Sequence, residues 1–224
     1  DVAKSCVIKG ATFSGTGITV EGFHSSLNSN DNAGAFHLKG NGNIVKNNTI
    51  EKSCMAGIIM TGSNNLAENN EIFASRQCAG TSGPDADGIR MFADGNIARG
   101  NYIHDISLEE NPTAHIDCFQ SWGTLTNARI EGNICKNIPH AGIQTDDGDN
   151  AKNITIRNNV FNTGRGLNMY GDGIIITNNV FAGLGTPTYV LLRSPTNVTF
   201  QNNIIYNTSS GLLTTAGSVK AGGY

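Results

Sequence analysis

The sequence predicts an all-β solenoid, a right-handed parallel β-helix of about eight coils with three short strands in each. Three observations predict it. A short phrase recurs seven times along the 224 residues and closes each time on a two-residue turn: Asn47-Asn48, Asn69-Asn70, Gly100-Asn101, Gly132-Asn133, Asn158-Asn159, Asn178-Asn179 and Asn202-Asn203. The second turn residue is always Asn, and the first is only Asn or Gly, the types that best tolerate a left-handed backbone. An apolar residue, usually Ile or Val, follows each turn within two positions. Composition agrees, since 28 Gly and abundant Asn with sparse helix formers suit short strands joined by tight turns. A repeat of 20 to 32 residues with one fixed bend marks a solenoid, and a solenoid is one elongated body. The chain therefore reads as a single domain over residues 1–224.

The coil containing Asn159 shows the elements in order. Gly142 to Asp146 is strand one, Asp147 to Lys152 a turn, and Asn153 to Arg157 strand two. Asn158-Asn159 is the bend, Val160 to Asn162 strand three, and Thr163-Gly164-Arg165 leads to the next coil. Period-two alternation points Ile143, Ile154, Ile156 and Val160 to one side. Coils stacked about 4.8 Å apart satisfy each other's backbones. The bend asparagines are expected to form a ladder, because buried polar groups need partners. Strand one is expected at Ala35–Lys39, Gly57–Thr61, Gly88–Phe92, Asp117–Trp122, Gly142–Asp146, Gly166–Tyr170, Tyr189–Arg193 and Gly211–Thr215.

A net charge of −3 points to no nucleic-acid or membrane-surface partner. No apolar stretch approaches about 18 residues, so no membrane span is expected. No leader is visible at Asp1, and neither end carries an evident cap, which suggests a trimmed chain or a fragment. None of the five cysteines has zinc-like spacing. Cys54 and Cys78 follow corresponding bends of neighbouring coils; they are either a disulfide, which would imply an exported protein, or small core filler.

The spacing of the bends breaks where function can collect. Successive bend asparagines lie 22, 31, 32, 26, 20 and 24 residues apart. The two long coils carry insertions at Ala74–Ala86 and Asp105–Ile116, both between strand three and strand one, and the adjacent turn Asp146–Lys152 is enlarged. The outward positions of strand one read His37 and Lys39, Ile59, Arg90 and Phe92, Gln120 and Trp122, Gln144 and Asp146, Asn168 and Tyr170, then Arg193. Just before the strands stand Asp85, Asp87, His115, Asp117 and His140. Acids, bases, amides and rings thus gather on a stripe of roughly 15–20 Å, the length of three or four sugars.

The repeat resembles the pectate-lyase-like superfamily of right-handed β-helix proteins over nearly the whole chain. That superfamily contains polysaccharide lyases, glycoside hydrolases, uronan epimerases, tailspikes and adhesins, and the resemblance implies a polymer groove over strand one in a secreted or cell-surface protein. His115-Ile116-Asp117-Cys118-Phe119-Gln120 resembles a His-x-Asp-x-x-Gln pattern found in many uncharacterised β-helix proteins, which implies a carbohydrate site at this point. Elimination on a uronic-acid polymer needs the substrate carboxylate neutralised by Arg or Ca²⁺, and a proton taken from the neighbouring carbon. Asp87, Arg90, His115, Asp117 and His140 are the catalytic candidates, with Asp85, Asp146 and Asp147 as oxygen donors to Ca²⁺. Gln120, Trp122, Gln144, Asn168, Tyr170 and Arg193 are the candidates for holding sugar. Hydrolysis by paired Asp residues is the alternative, although the Gly-His-Gly and Arg-Ile-Lys signatures of polygalacturonase-type enzymes are absent. A third reading is a non-catalytic binding, adhesin or tailspike shaft, which would show short, equal loops.

Overall fold

The computed structural model describes residues 7–26, 34–78, 85–109, 111–146, 150–184, 190–207, 212–214 and 219–222. Every pairing between strands is parallel to the strand one coil away. The second strand of each coil builds a nine-stranded sheet, from Thr19–Glu21 to Val219–Gly222. The first and third strands share a 19-stranded sheet that wraps the other two faces. No helix occurs among the described residues, and none is long and apolar enough to cross a membrane.

The described residues form nine coils, one more than the eight first strands expected from the sequence. The extra one comes first: Ala11–Phe13 pairs with Phe36–Leu38. Its bend is Gly22-Phe23, so the diagnostic Asn is missing there. Gly22 still supplies the left-handed backbone with φ of 76°, and the Phe23 N–H donates to Asn48 Oδ1 at 2.9 Å.

The first residue of each Asn-containing bend has φ between 52° and 63°. The second residue is buried and forms an unbroken ladder. Nδ2 of Asn48, Asn70, Asn101, Asn133, Asn159 and Asn179 each donates to Oδ1 of the asparagine one coil on, at 2.9–3.0 Å. The backbone N–H of each donates to that same oxygen. A second, shorter amide row precedes strand two: the N–H of Asn43 donates to Asn65 Oδ1 and that of Asn65 to Asn96 Oδ1. Farther along, the same position holds Ala128, Ile154, Ile174 and Val198, all buried. There the row is closed by packing instead of hydrogen bonds.

The core follows the alternation with one correction. Ile143, Ile154 and Ile156 face inward, whereas Val160 is 37% exposed and Phe161 is fully buried. The left-handed bend residue resets the alternation, so the residue after the Asn points out and the next points in. Each buried apolar residue removes roughly 1.5–3 kcal/mol of side chain from water.

Strand one enters four of the coils on a glycine with a steric reason. A Cβ on Gly57 would lie 2.5 Å from Ile72, on Gly88 2.6 Å from Ile103, on Gly142 2.6 Å from Phe161, and on Gly166 2.9 Å from Phe181. In one coil the glycine is replaced by Cys118 and its large partner by Cys135, and the two are joined by a disulfide across the interior. The expected Cys54–Cys78 bond is also present and ties neighbouring coils together. Cys6 lies outside the described residues.

Candidate functional site

Register brings the predicted face together. His37, Ile59, Arg90, Gln120, Gln144 and Asn168 stand opposite one another on six successive first strands, and Tyr170 stands opposite Arg193. His115 is bridged to Asp85 by a backbone pairing, because both insertions return to the sheet at this height.

Depth divides these residues. Asp87 and Arg90 are buried, Arg90 being 1% exposed. Arg90 donates from Nε to Asp87 Oδ2 at 2.8 Å and from Nη2 to Asp85 Oδ2 at 2.6 Å. The other Asp87 oxygen accepts the Asp117 N–H at 2.9 Å. Asp117 repeats the move one coil on, accepting the Ala141 N–H at 2.9 Å. Asp87 therefore lies beneath the face and positions Asp117, which corrects its expected part in the chemistry. It cannot serve as one of two carboxyl groups on a sugar.

Above this floor lies a cleft with two adjoining chambers. One, of about 230 Å³, is lined by Asp117, His140, Gln144, Arg165 and Asn168. The other, of about 380 Å³, is lined by Met55, Asp85, Arg90 and Trp122. His115, Gln120 and Asp146 belong to both and form the seam. Tyr170 and Arg193 line neither chamber. Arg193 instead donates to Asn168 Oδ1 at 2.9 Å and to the Tyr170 hydroxyl at 3.2 Å, and Asn168 donates to Gln144 Oε1 at 2.7 Å. This amide row stops there. Gln144 Nε2 turns to the Thr145 carbonyl and Asp146, and Gln120 Nε2 turns to Asp117 Oδ2 at 3.3 Å. Gln120 is only 8% exposed, yet its Oε1 has no partner among the described residues.

Protonation follows from burial. Loss of water pushes the Asp87 carboxyl up to about 7 against the pull of Arg90. Asp117 is pushed well above the usual carboxylate range, first by burial and then by the neighbouring Asp87 charge. His140 is held below the usual imidazole range by burial, with His115 and Arg165 adding to the effect. Its Nδ1 accepts the Ile116 N–H at 3.2 Å, so the neutral ring carries its proton on Nε2 and acts as a donor. His115 is more open, its side chain 68% exposed, with Nδ1 4.0 Å from Asp85 Oδ1. That separation is longer than a hydrogen bond, so either ring nitrogen of His115 is open to the cleft.

Of the carboxylates expected to hold Ca²⁺, Asp85 pairs with a guanidinium. Asp85 and Asp87 both close on Arg90, Asp146 stands at the seam, and Asp147 lies outside the described residues. Among the described residues no three His, Cys, Asp or Glu converge to hold a metal ion. Arg165 was not foreseen, because it falls in a connecting phrase between strands. The signal was its place one coil beyond Ala141, in register with it.

The family model described as "Right handed beta helix region" matches residues 2–181 and 126–221. Among solved structures, the chain is similar to PfbA, a surface adhesin of Streptococcus pneumoniae, at 14% identity and a TM-score of 0.64, covering 85% of this chain and 60% of that one. It is also similar to the catalytic domain of a GH87 α-1,3-glucanase in complex with nigerose, at 16% identity and a TM-score of 0.38, covering 94% and 55%. A GH136 lacto-N-biosidase from Eubacterium ramulus follows at 9% identity and a TM-score of 0.27, covering 93% and 57%. The chain thus spans little more than half the length of these proteins, and the likeness to the adhesin is one of fold. No curated protein matches.

Proposed function

The chain belongs to the right-handed β-helix family, and from that premise we propose that it binds an acidic polysaccharide over strand one and cleaves it by β-elimination. One observation carries this reading: an open histidine, a buried carboxyl favoured in its acid form and a guanidinium line one cleft. A ring nitrogen of His115 takes the proton beside the sugar carboxylate. Arg165 faces the negative charge that develops there. The bond from the ring carbon to the glycosidic oxygen then breaks, and Asp117 gives its proton to the leaving oxygen. The products are an unsaturated uronate and a new reducing end, so atoms and protons balance. Gln120, Gln144 and Asn168 hold hydroxyls, and the His140 Nε2–H is a further donor.

Hydrolysis is the second reading, favoured by Asp117 in its acid form beside the Asp146 carboxylate in the same chamber. The disulfides support placement outside the cell or on its surface, since such bonds persist in oxidising compartments.

The test is incubation with a panel of acidic and neutral polysaccharides, reading ultraviolet absorbance of unsaturated ends together with reducing ends. Elimination raises both, and His115→Ala lowers the rate by about 100-fold or more while leaving the fold intact. Reducing ends without absorbance would replace elimination by hydrolysis. Silence in both would overturn cleavage and leave binding.

A further inference from the structure

We infer that the chamber at Trp122 is a subsite for one hexopyranose ring, which lies along strand one with its C–H face on the indole and a free hydroxyl on Gln120 Oε1. The inference rests on the carbohydrate reading above and adds which unit Trp122 holds and how that unit lies.

Trp122 is 43% exposed, yet the protein fixes it from two sides. The Arg90 guanidinium lies over the ring, 4.7 Å from its centroid. Phe92 meets the ring edge-on at 4.8 Å. Arg90 is in turn gripped by Asp85 and Asp87. It is 1% exposed, so the face of the indole that it covers is the one toward the protein. Trp122 lines a chamber of about 380 Å³, within the size range of ligand pockets. A ring already held in place loses little side-chain freedom when a ligand arrives. Its flat apolar surface suits the C–H face of a pyranose.

Gln120 is an independent sign of a ligand at the same place. It stands at the seam and so lines this chamber too. It is 8% exposed, and its Oε1 has no partner among the described residues. A buried acceptor of this kind is costly until a donor reaches it. Gln120 and Trp122 are two residues apart at the end of the strand Phe119–Ser121. Along an extended chain their side chains leave the same face about 6–7 Å apart, so one ring can touch both. Gln120 Oε1 only accepts, so the ring must bring a free hydroxyl to it; an ether or ester there would leave the acceptor buried and unpaired.

Trp122 is the single tryptophan of the chain, so its emission reports on this chamber alone. The experiment titrates the His115→Ala variant with tetrasaccharides of acidic and of neutral hexoses, by tryptophan fluorescence and calorimetry. Every sugar that binds is expected to shift the emission. Trp122→Ala is expected to weaken binding by at least about tenfold, and Trp122→Phe to keep it within about threefold. If one ring spans both residues their losses are coupled, and Trp122→Ala with Gln120→Met weakens binding by less than the product of the two. Losses that multiply in full overturn the single ring. Calorimetric binding with unchanged emission, or with full affinity in Trp122→Ala, overturns the subsite and leaves the carbohydrate reading in place. If Trp122→Ala lowers the urea midpoint because Arg90 loses its cover, the emission shift, which needs no change at position 122, decides by itself. No binding of any sugar overturns the carbohydrate reading and the subsite together.

Discussion

Two of the amide rows along this helix, at the bend and on the strand-one face, differ in whether they close. At the bend, Asn48 to Asn203 form one chain in which each side-chain oxygen accepts twice from the previous coil. On the strand-one face, Arg193, Asn168 and Gln144 begin a similar chain, but it ends before Gln120. The closed row has nothing left to offer a ligand, and its role is to hold coils in register. The open row leaves a buried acceptor in a cleft, a cost to folding that binding can recover. An interruption in a repeating hydrogen-bond pattern is thus a physical marker of a site.

Breaking the closed row is expected to have the largest effect. Asn133→Ala removes the acceptor for two donors of Asn101 and the donors to Ala98 and Asn159. We expect a loss of about 2–4 kcal/mol, read by urea unfolding, because a buried N–H is left without a partner. A midpoint shift too small to measure would deny the ladder its structural role.

The next effect concerns pH. Asp87 binds its proton more tightly folded than unfolded, its carboxyl pushed up to about 7 from the ordinary carboxylate range. The folded state therefore keeps a proton that the unfolded chain loses, so stability falls as pH rises from about 4 to 7. Asp117 adds to the fall in the same direction. Urea midpoints across this range are expected to decline in the parent and decline less steeply in Asp87→Asn. A parent midpoint that rises with pH would reverse the assignment.

The smallest effect on stability is expected at the open row. Gln120→Met keeps the volume and removes an acceptor that has no partner among the described residues, together with one long hydrogen bond of 3.3 Å to Asp117 Oδ2. It should change unfolding by less than about 1 kcal/mol, yet weaken sugar binding by about tenfold. Large destabilisation without loss of binding would make Gln120 a structural amide and erase the contrast.

Much of the fold could be read from the sequence because its rules are local. A left-handed turn residue followed by a buried Asn repeats visibly, and counting from it sets the register of strand one across Arg90, Gln120, Gln144 and Asn168. The first coil escaped because Phe23 stands where the Asn would be. The Cys118–Cys135 bond escaped because it joins two rows, and only the stacked coils show that one glycine and its large partner were exchanged together. At the site, the types and rough positions were legible but depth was not. Asp87 and Arg90 carry charges, which usually mark the surface, and only their mutual pairing makes burial tolerable. Arg165 was invisible because its importance lies in what sits one and two coils before it.

The bend ladder has a further consequence, for how such a protein changes size. Each Asn bonds to groups in the coils directly before and after it, with Asn48 and Asn179 also donating within their own coil, and the Asn-to-Asn rung is made in the same way each time. Removing or duplicating one whole coil, such as the 24 residues from one bend to the next at Asn179 and Asn203, would rejoin identical partners. Length can therefore vary by gene duplication in units of one coil without a new core, while the coils from Asp85 to Asn168 must keep their order because they build a cleft together.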